Sequence, residues 1–203
     1  MCDAVDYIAD LRQAENKAEM PVGRNVVVIG GGMTAIDIAV QSKHLGAEHV
    51  DVIYRRGPEQ MGASKYEQQF AQTSGVKIRH WATPKSVLLD DRVTGMEFAD
   101  TTLDENGKLV ETGETWSIAA DIVFKAVGQK ISDKLLGDSS ESLDEKYGKL
   151  LVDDNRKTSL DDVWAGGDCV YGADDLTVSA VQDGKVAATD IDRWLRLGGS
   201  TDG

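Results

Sequence analysis

Three consecutive glycines sit in "NVVVIGGGMTAIDIA", residues 25–39, between an apolar β-branched run and an Ala- and Ile-rich run. Gly30, Gly32 and Ala35 form G-x-G-x-x-A. This spacing has a chemical use when it links a strand to a helix. The first glycine permits a tight turn, the second lets a pyrophosphate approach bare backbone, and a small third residue lets helix and strand pack closely. The helix N-terminus then offers free N–H groups and partial positive charge to an anion. Gly30, Gly31, Gly32, Met33 and Thr34 are therefore the first candidates for binding a dinucleotide.

The next apolar run, "HVDVIYRR", ends in Arg55 and Arg56. An acid at such a strand end would hold the ribose 2′-hydroxyl of NAD. Asp51 lies at the start of the run, too far from its end. Two guanidinium groups at the tip suit a 2′-phosphate through bidentate charged hydrogen bonds. The pair favours NADP, with NAD as the alternative.

These residues need a scaffold. "RNVVVIG" is too uniformly apolar for a half-exposed strand and predicts a buried one. "MTAIDIAVQSKHLG" predicts a helix closed by Gly46. With "HVDVIYRR" it makes a βαβ unit of about 30 residues. A helix over 4–18 is expected from Val5, Ile8 and Leu11, and another in "SKYEQQFAQTSG". "VKIRHWATPKSVL" and "RVTGMEFADTTL" alternate like strands, followed by a hairpin signal in "DENGK" and a strand in "ETWSIAA". "DIVFKAVG" predicts another buried strand. "LLVDDNRKTSLDDVWAGGD" suggests two short strands around a turn. "DLTVSAVQDGKVAATDIDRWLRL" predicts a long helix with Val178, Val181, Val186, Ile191 and Leu195 as core contacts. The expected class is α/β: a Rossmann-like dinucleotide-binding domain with a βαβ core and a β-hairpin.

Composition narrows the partners. The 203 residues carry a formal net charge of −13, which argues against nucleic acid and against an anionic membrane. No apolar run approaches the roughly 20 residues of a membrane span. Cys2 and Cys169 form no metal or disulfide pattern, which fits a cytoplasmic setting. His44, His49 and His80 show no metal spacing. Cys169 and the four tryptophans read as packing residues.

A second motif follows in "TSLDDVWAGGDCVYGADDLTVSAVQDGKVAATDI", where Gly167-Asp168 precedes a helix starting at Thr177. It resembles the C-terminal FAD signature of two-dinucleotide flavoprotein oxidoreductases. With "VVVIGGGMTAIDIAVQSKHLGAEHVDVIYRRGPEQM" and "AADIVFKAVGQ", the chain is similar to the flavin subunit of bacterial dihydropyrimidine dehydrogenase. That subunit is related to the glutamate synthase small subunit, and Met33 leans toward the pyrimidine branch.

The resemblance implies Gly31–Thr34 on the dinucleotide phosphates and Arg55 and Arg56 at the adenosine end. It implies Ala126, Val127 and Gly128 near the dinucleotide crossing, and Gly167, Asp168 and Thr177 on FAD. It implies hydride transfer between NAD(P)H and FAD with no catalytic side chain, because the cofactors carry the chemistry. An iron–sulfur, pyrimidine-reducing partner subunit is implied as well. Such families place an FAD fingerprint and cluster cysteines upstream, so this chain resembles the C-terminal half of a longer flavoprotein. The expected divisions are an N-terminal helix and linker (1–20), the nicotinamide domain (21–130), a linker (131–149), the last part of an FAD domain (150–197) and a tail (198–203). The alternatives are a glutamate synthase small-subunit-like electron-input protein and a nucleotide-binding or interaction module without turnover.

Overall fold

A computed structural model describes residues 1–129, 131, 143–174 and 176–199. The chain divides into two compact units, Met1–Gly128 and Gln129–Gly203.

The first unit is built on a five-stranded parallel sheet. Its strands are β1 (Cys2–Asp3), β2 (Asn25–Ile29), β3 (His49–Ile53), β4 (Lys77–Arg79) and β8 (Ile122–Lys125), in the order β1-β8-β2-β3-β4. The helices are α1 (Ala4–Gln13), α2 (Met33–His44) and α3 (Lys65–Thr73). A three-stranded antiparallel sheet is formed by β5 (Ala82–Leu89), β6 (Val93–Leu103) and β7 (Leu109–Ala119).

The uniform apolarity of β2 follows from these layers. Successive side chains of a strand point to opposite faces. Val26 and Val28 pack with Ile36, Ile38 and Ala39 of α2, while Val27 and Ile29 pack with Met96 and Phe98 of β6. Both faces are covered, so both sets are apolar. The antiparallel sheet occupies the face where a second helical layer would otherwise lie. The fold is α/β and Rossmann-like, as the motif predicts.

Three local expectations change. The helix expected over 4–18 ends at Gln13, and Tyr7 rather than Val5 joins Ile8 and Leu11 in the core. Cys2–Asp3 precede it as an edge strand paired with β8. The run "VKIRHWATPKSVL" is two strands in different sheets. The chain turns at Trp81, whose φ is +60°, and passes from the parallel to the antiparallel sheet. No glycine or proline marks that break.

In the second unit, β9 (Glu145–Lys146) and β10 (Lys149–Leu150) form a two-stranded hairpin. Tyr147 and Gly148 turn it, with φ of +55° and +74°. The two short strands expected beyond residue 150 reduce to isolated bridges, Leu150 with Val170 and Lys157 with Trp164. The helix α4 (Thr177–Arg196) has the expected place and length. Three of its five expected core residues are corrected: Val178 and Leu195 are 74% and 62% exposed and Val181 is exposed too, whereas Val186 and Ile191 are half-buried, and Asp183 is the buried residue of the helix. Most of the segment expected as a linker, 131–149, and the end of the tail lie outside the described residues. Among the described residues no helix is long and apolar enough to cross a membrane.

Candidate dinucleotide-binding site

The carboxyl ends of three adjacent parallel strands carry most of the residues singled out by the sequence. Gly30–Thr34 follow β2, Arg55 and Arg56 follow β3, and Ala126–Gly128 follow β8. Gly30 N–H donates to Ile53 O at 3.0 Å, and Ala126 N–H donates to Ile29 O at 2.8 Å, which ties the three ends together. The chain leaves β2 toward α2 with β3 on one side and β8 on the other. That is the crevice in which ligands of open α/β sheets bind.

The three glycines have three different jobs. Gly30 has φ +147°, and a Cβ there would lie 2.2 Å from the Ala126 carbonyl oxygen. Its requirement is the close approach of β8. A Cβ on Gly31 would lie 2.4 Å from the Tyr54 ring, so this buried glycine answers to packing from within. A Cβ on Gly32 would meet nothing within 4 Å. Gly32 is the N-cap of α2, no side chain caps that end, and no acid lies in the first turn. The free N–H groups and dipole of α2 therefore open onto clear space at Gly32, a cradle that fits a diphosphate. Met33 is exposed and Thr34 half-buried beside it.

Residues 57–63 close one side of this cradle. Tyr54 Oη donates to Gln60 O, Ala63 N–H donates to Gly31 O at 2.9 Å, and a Cβ on Gly62 would stand 3.7 Å from Gly32 Cα. Lys65, Tyr66 and Glu67 begin α3, where Ser64 and Glu67 form a capping box.

Arg55 and Arg56 are exposed, and among the described residues neither guanidinium is ion-paired. Asp51, the carboxylate within β3, is buried and accepts from Arg79 Nε at 2.6 Å. Arg79 in turn lies over the Trp116 ring at 5.4 Å. The acid that could repel a phosphate is thus held by Arg79 of β4, and the strand tip presents positive charge alone.

The second motif occupies the other unit. Gly167 is buried with φ +75°, Asp168 and Thr177 are exposed, and α4 begins with no side-chain cap and no acid in its first turn. The sequence reading missed the anchor of this turn. Asp183 is 4% exposed. It accepts from Gly167 N–H at 2.9 Å and from Arg156 Nε at 2.7 Å. These bonds, the backbone one first, hold its carboxyl below the usual aspartate range. A Cβ on Gly166 would lie 2.7 Å from Asp183 Cβ, so the glycine pair also leaves room for the anchor. The signal was present: an acid among apolar residues at helical spacing. Cys169 Sγ donates to Gly166 O at 3.3 Å, a bond within the turn that the expectation of a packing residue did not include.

A model of the pyridine nucleotide-disulphide oxidoreductases matches residues 2–184. The chain belongs to this family. Among relatives within reach of the family, the small chain of glutamate synthase [NADPH] from Azospirillum brasilense is 35% identical over 191 residues, covering 90% of this chain and 39% of the relative. The beta subunit of the NADP(+)-dependent formate dehydrogenase of Moorella thermoacetica is 35% identical over 185 residues, covering 87% of this chain and 26% of the relative. The chain thus spans well under half the length of these relatives. Thioredoxin reductase from T. acidophilum superposes with a TM-score of 0.72 at 24% identity, covering 91% of this chain and 55% of the other. Mycobacterium tuberculosis FprA in complex with NADPH gives a TM-score of 0.72 at 15% identity, covering 96% and 58%. At such identities these two structures speak for the family fold alone.

Proposed function

We propose that the chain binds NADP(H) at the Gly30–Thr34 turn and serves an FAD-dependent oxidoreductase that moves electrons between NADPH and a partner subunit. The observation that carries this reading is the open N-terminus of α2 at Gly32, flanked along the sheet edge by an arginine pair with no acid at the strand tip. In it, Gly32, Met33 and Thr34 take the pyrophosphate, Arg55 and Arg56 take the 2′-phosphate, and Ala126–Gly128 flank the path of the coenzyme along the sheet edge. Gly167, Asp168 and the start of α4 at Thr177 fit the flavin nucleotide. When bound, the flavin supplies the capacity to accept or return a hydride. The protein's part is to bind and orient. NAD in place of NADP is less well matched, because a strand tip with two cations and no acid offers no carboxylate to accept from the 2′-hydroxyl.

The relatives from Azospirillum brasilense and Moorella thermoacetica are a chain and a subunit of NADPH- or NADP-dependent enzymes, which supports an electron-input subunit of the glutamate synthase type. Pyrimidine reduction is the second reading, and it rests on Met33. Glutamate formation by the assembled complex supports the first, and NADPH oxidation dependent on uracil supports the second.

The coenzyme reading is tested by titrating the chain with NADPH and NADH while following tryptophan fluorescence. Hydrogen bonds to a charged group are each worth about 1.5–3 kcal/mol. Replacing Arg55 and Arg56 together by Ala should therefore weaken NADPH binding by roughly tenfold or more and leave NADH binding nearly unchanged. Equal losses for the two coenzymes would remove the arginines from phosphate recognition.

A further inference from the structure

The arginine pair stands on backbone that has left the parallel sheet. β3 ends at Ile53, and residues beyond a strand end need other partners for their N–H and C=O groups. They find them on the antiparallel sheet. Thr101 Oγ1 donates to Arg55 O at 2.8 Å. Trp81 N–H donates to Arg56 O at 3.2 Å, and Trp81 O accepts from Thr101 N–H at 2.8 Å. The Trp81 ring covers Gly57, where a Cβ would lie 2.7 Å from Cζ2.

Two irregularities place these groups. Trp81 has φ +60°, a left-handed conformation rare for a bulky residue, sustained only where the surroundings impose it. The pairing of β6 with β7 shifts register between Ala99 and Thr101, and such a bulge re-aims a side chain. Thr101 is one of only four buried polar residues among those described, and its hydroxyl is spent on Arg55.

We propose that Trp81 and Thr101 are positioning residues for coenzyme selectivity. They clamp consecutive carbonyls of the Arg55–Arg56 tip, so that the two guanidinium groups are presented as one fixed pair to the 2′-phosphate. The clamp makes selectivity a property of both sheets, the parallel one supplying the arginines and the antiparallel one their orientation. This rests on the proposal that Arg55 and Arg56 read the 2′-phosphate.

The test measures NADPH and NADH affinity and thermal midpoint on the 203-residue chain. Thr101→Val keeps the shape and removes the hydroxyl. It is expected to lower NADPH affinity by about fivefold, on the scale of one lost hydrogen bond, with NADH affinity unchanged. Thr101→Ser should restore the NADPH/NADH ratio. Phe98→Leu loosens the same strand through its core side, and is expected to lower the midpoint without moving the ratio. Trp81→Gly keeps the left-handed backbone and lifts the ring from Gly57, and should lower the ratio even if Thr101→Val does not fold.

An unchanged ratio in Thr101→Val or in Trp81→Gly overturns the clamp while the double arginine result still stands. A ratio that falls equally in Phe98→Leu also overturns it, since the effect would then be general loosening. A wild-type chain that binds neither coenzyme overturns both the clamp and the function it serves.

Discussion

At the residue scale, polar groups removed from water identify what the structure must hold still. Ser42 bonds Ile38 O within α2, Asp51 takes Arg79, Thr101 takes Arg55 O, and Asp183 takes Gly167 N–H and Arg156. Two of the four steady the β3 strand and its tip, and one steadies the second glycine turn. The neighbouring glycines can be separated by the same reasoning. Gly31→Ala would drive a Cβ into the Tyr54 ring at 2.4 Å, and overpacking of this kind costs about 1–3 kcal/mol. Its thermal midpoint should fall by several degrees, and trimming Tyr54 to Ala in the same chain should make the losses less than additive. Gly32→Ala meets no atom within 4 Å, and its φ of −91° suits alanine. Its stability should fall by no more than the few tenths of a kcal/mol to about 1 kcal/mol that an N-cap alanine costs, while affinity for both coenzymes drops. Wild-type affinity in Gly32→Ala would mean that no phosphate sits against that backbone.

At the element scale, the βαβ unit was legible because its signals are local. A double-faced strand, a glycine turn and a helix closed at Gly46 each leave a mark within a few residues. The exit of the chain from one sheet to the other was not legible. The alternation of residues 76–88 has its one breaker, Pro84, inside β5 and not at the turn, which Trp81 takes in a conformation that composition gives no reason to expect. The C-terminal helix illustrates the complementary limit. Its 3.6-residue period predicted an apolar contact face, yet α4 is pinned through Asp183 and through Trp164 Nε1, which donates to Asp190 at 2.9 Å, while Val178, Val181 and Leu195 face outward. Periodicity locates a stripe on a helix; it says nothing of what opposes the stripe. The candidate site divides likewise. Its binding residues were readable as motif, whereas Tyr54, Trp81, Thr101, Arg156 and Asp183, which hold those motifs in shape, act across long sequence separations. Asp183→Asn tests the pin. It keeps the shape but leaves one acceptor oxygen for two donors, so one bond is lost and the other is no longer to a charged group; Arg156, a third exposed, can turn to water, so the cost should be about 1–2 kcal/mol. Hydrogen exchange should speed up at Gly167 and in the first turns of α4, and unchanged protection there would show the turn to be held by other contacts.

At the scale of the whole molecule, the two units should respond to acid in different windows. In the first unit, burial lowers the pKa of His80, whose Nε2 lies 3.2 Å from Met61 Sδ beside the 57–63 segment. The unfolded chain therefore binds its proton first. Stability from a neutral His80 is complete above the unfolded value of about 6.5 and is lost as pH falls from there through the folded value. In the second unit, Asp183 and Asp190 have lowered pKa values, set first by the Gly167 N–H and the Trp164 N–H respectively. Their contribution is intact above the unfolded aspartate value of about 3.9 and is lost as pH falls through the folded values. The tryptophans report the units separately, Trp81 and Trp116 in one and Trp164 and Trp194 in the other. With Trp164 and Trp194 changed to Phe, the remaining fluorescence should show denaturant midpoints that begin to fall below pH 6.5. With Trp81 and Trp116 changed instead, the midpoint should hold until the pH drops below about 4. A single shared profile would show that acid sensitivity belongs to the molecule as one cooperative unit and not to the two anchors.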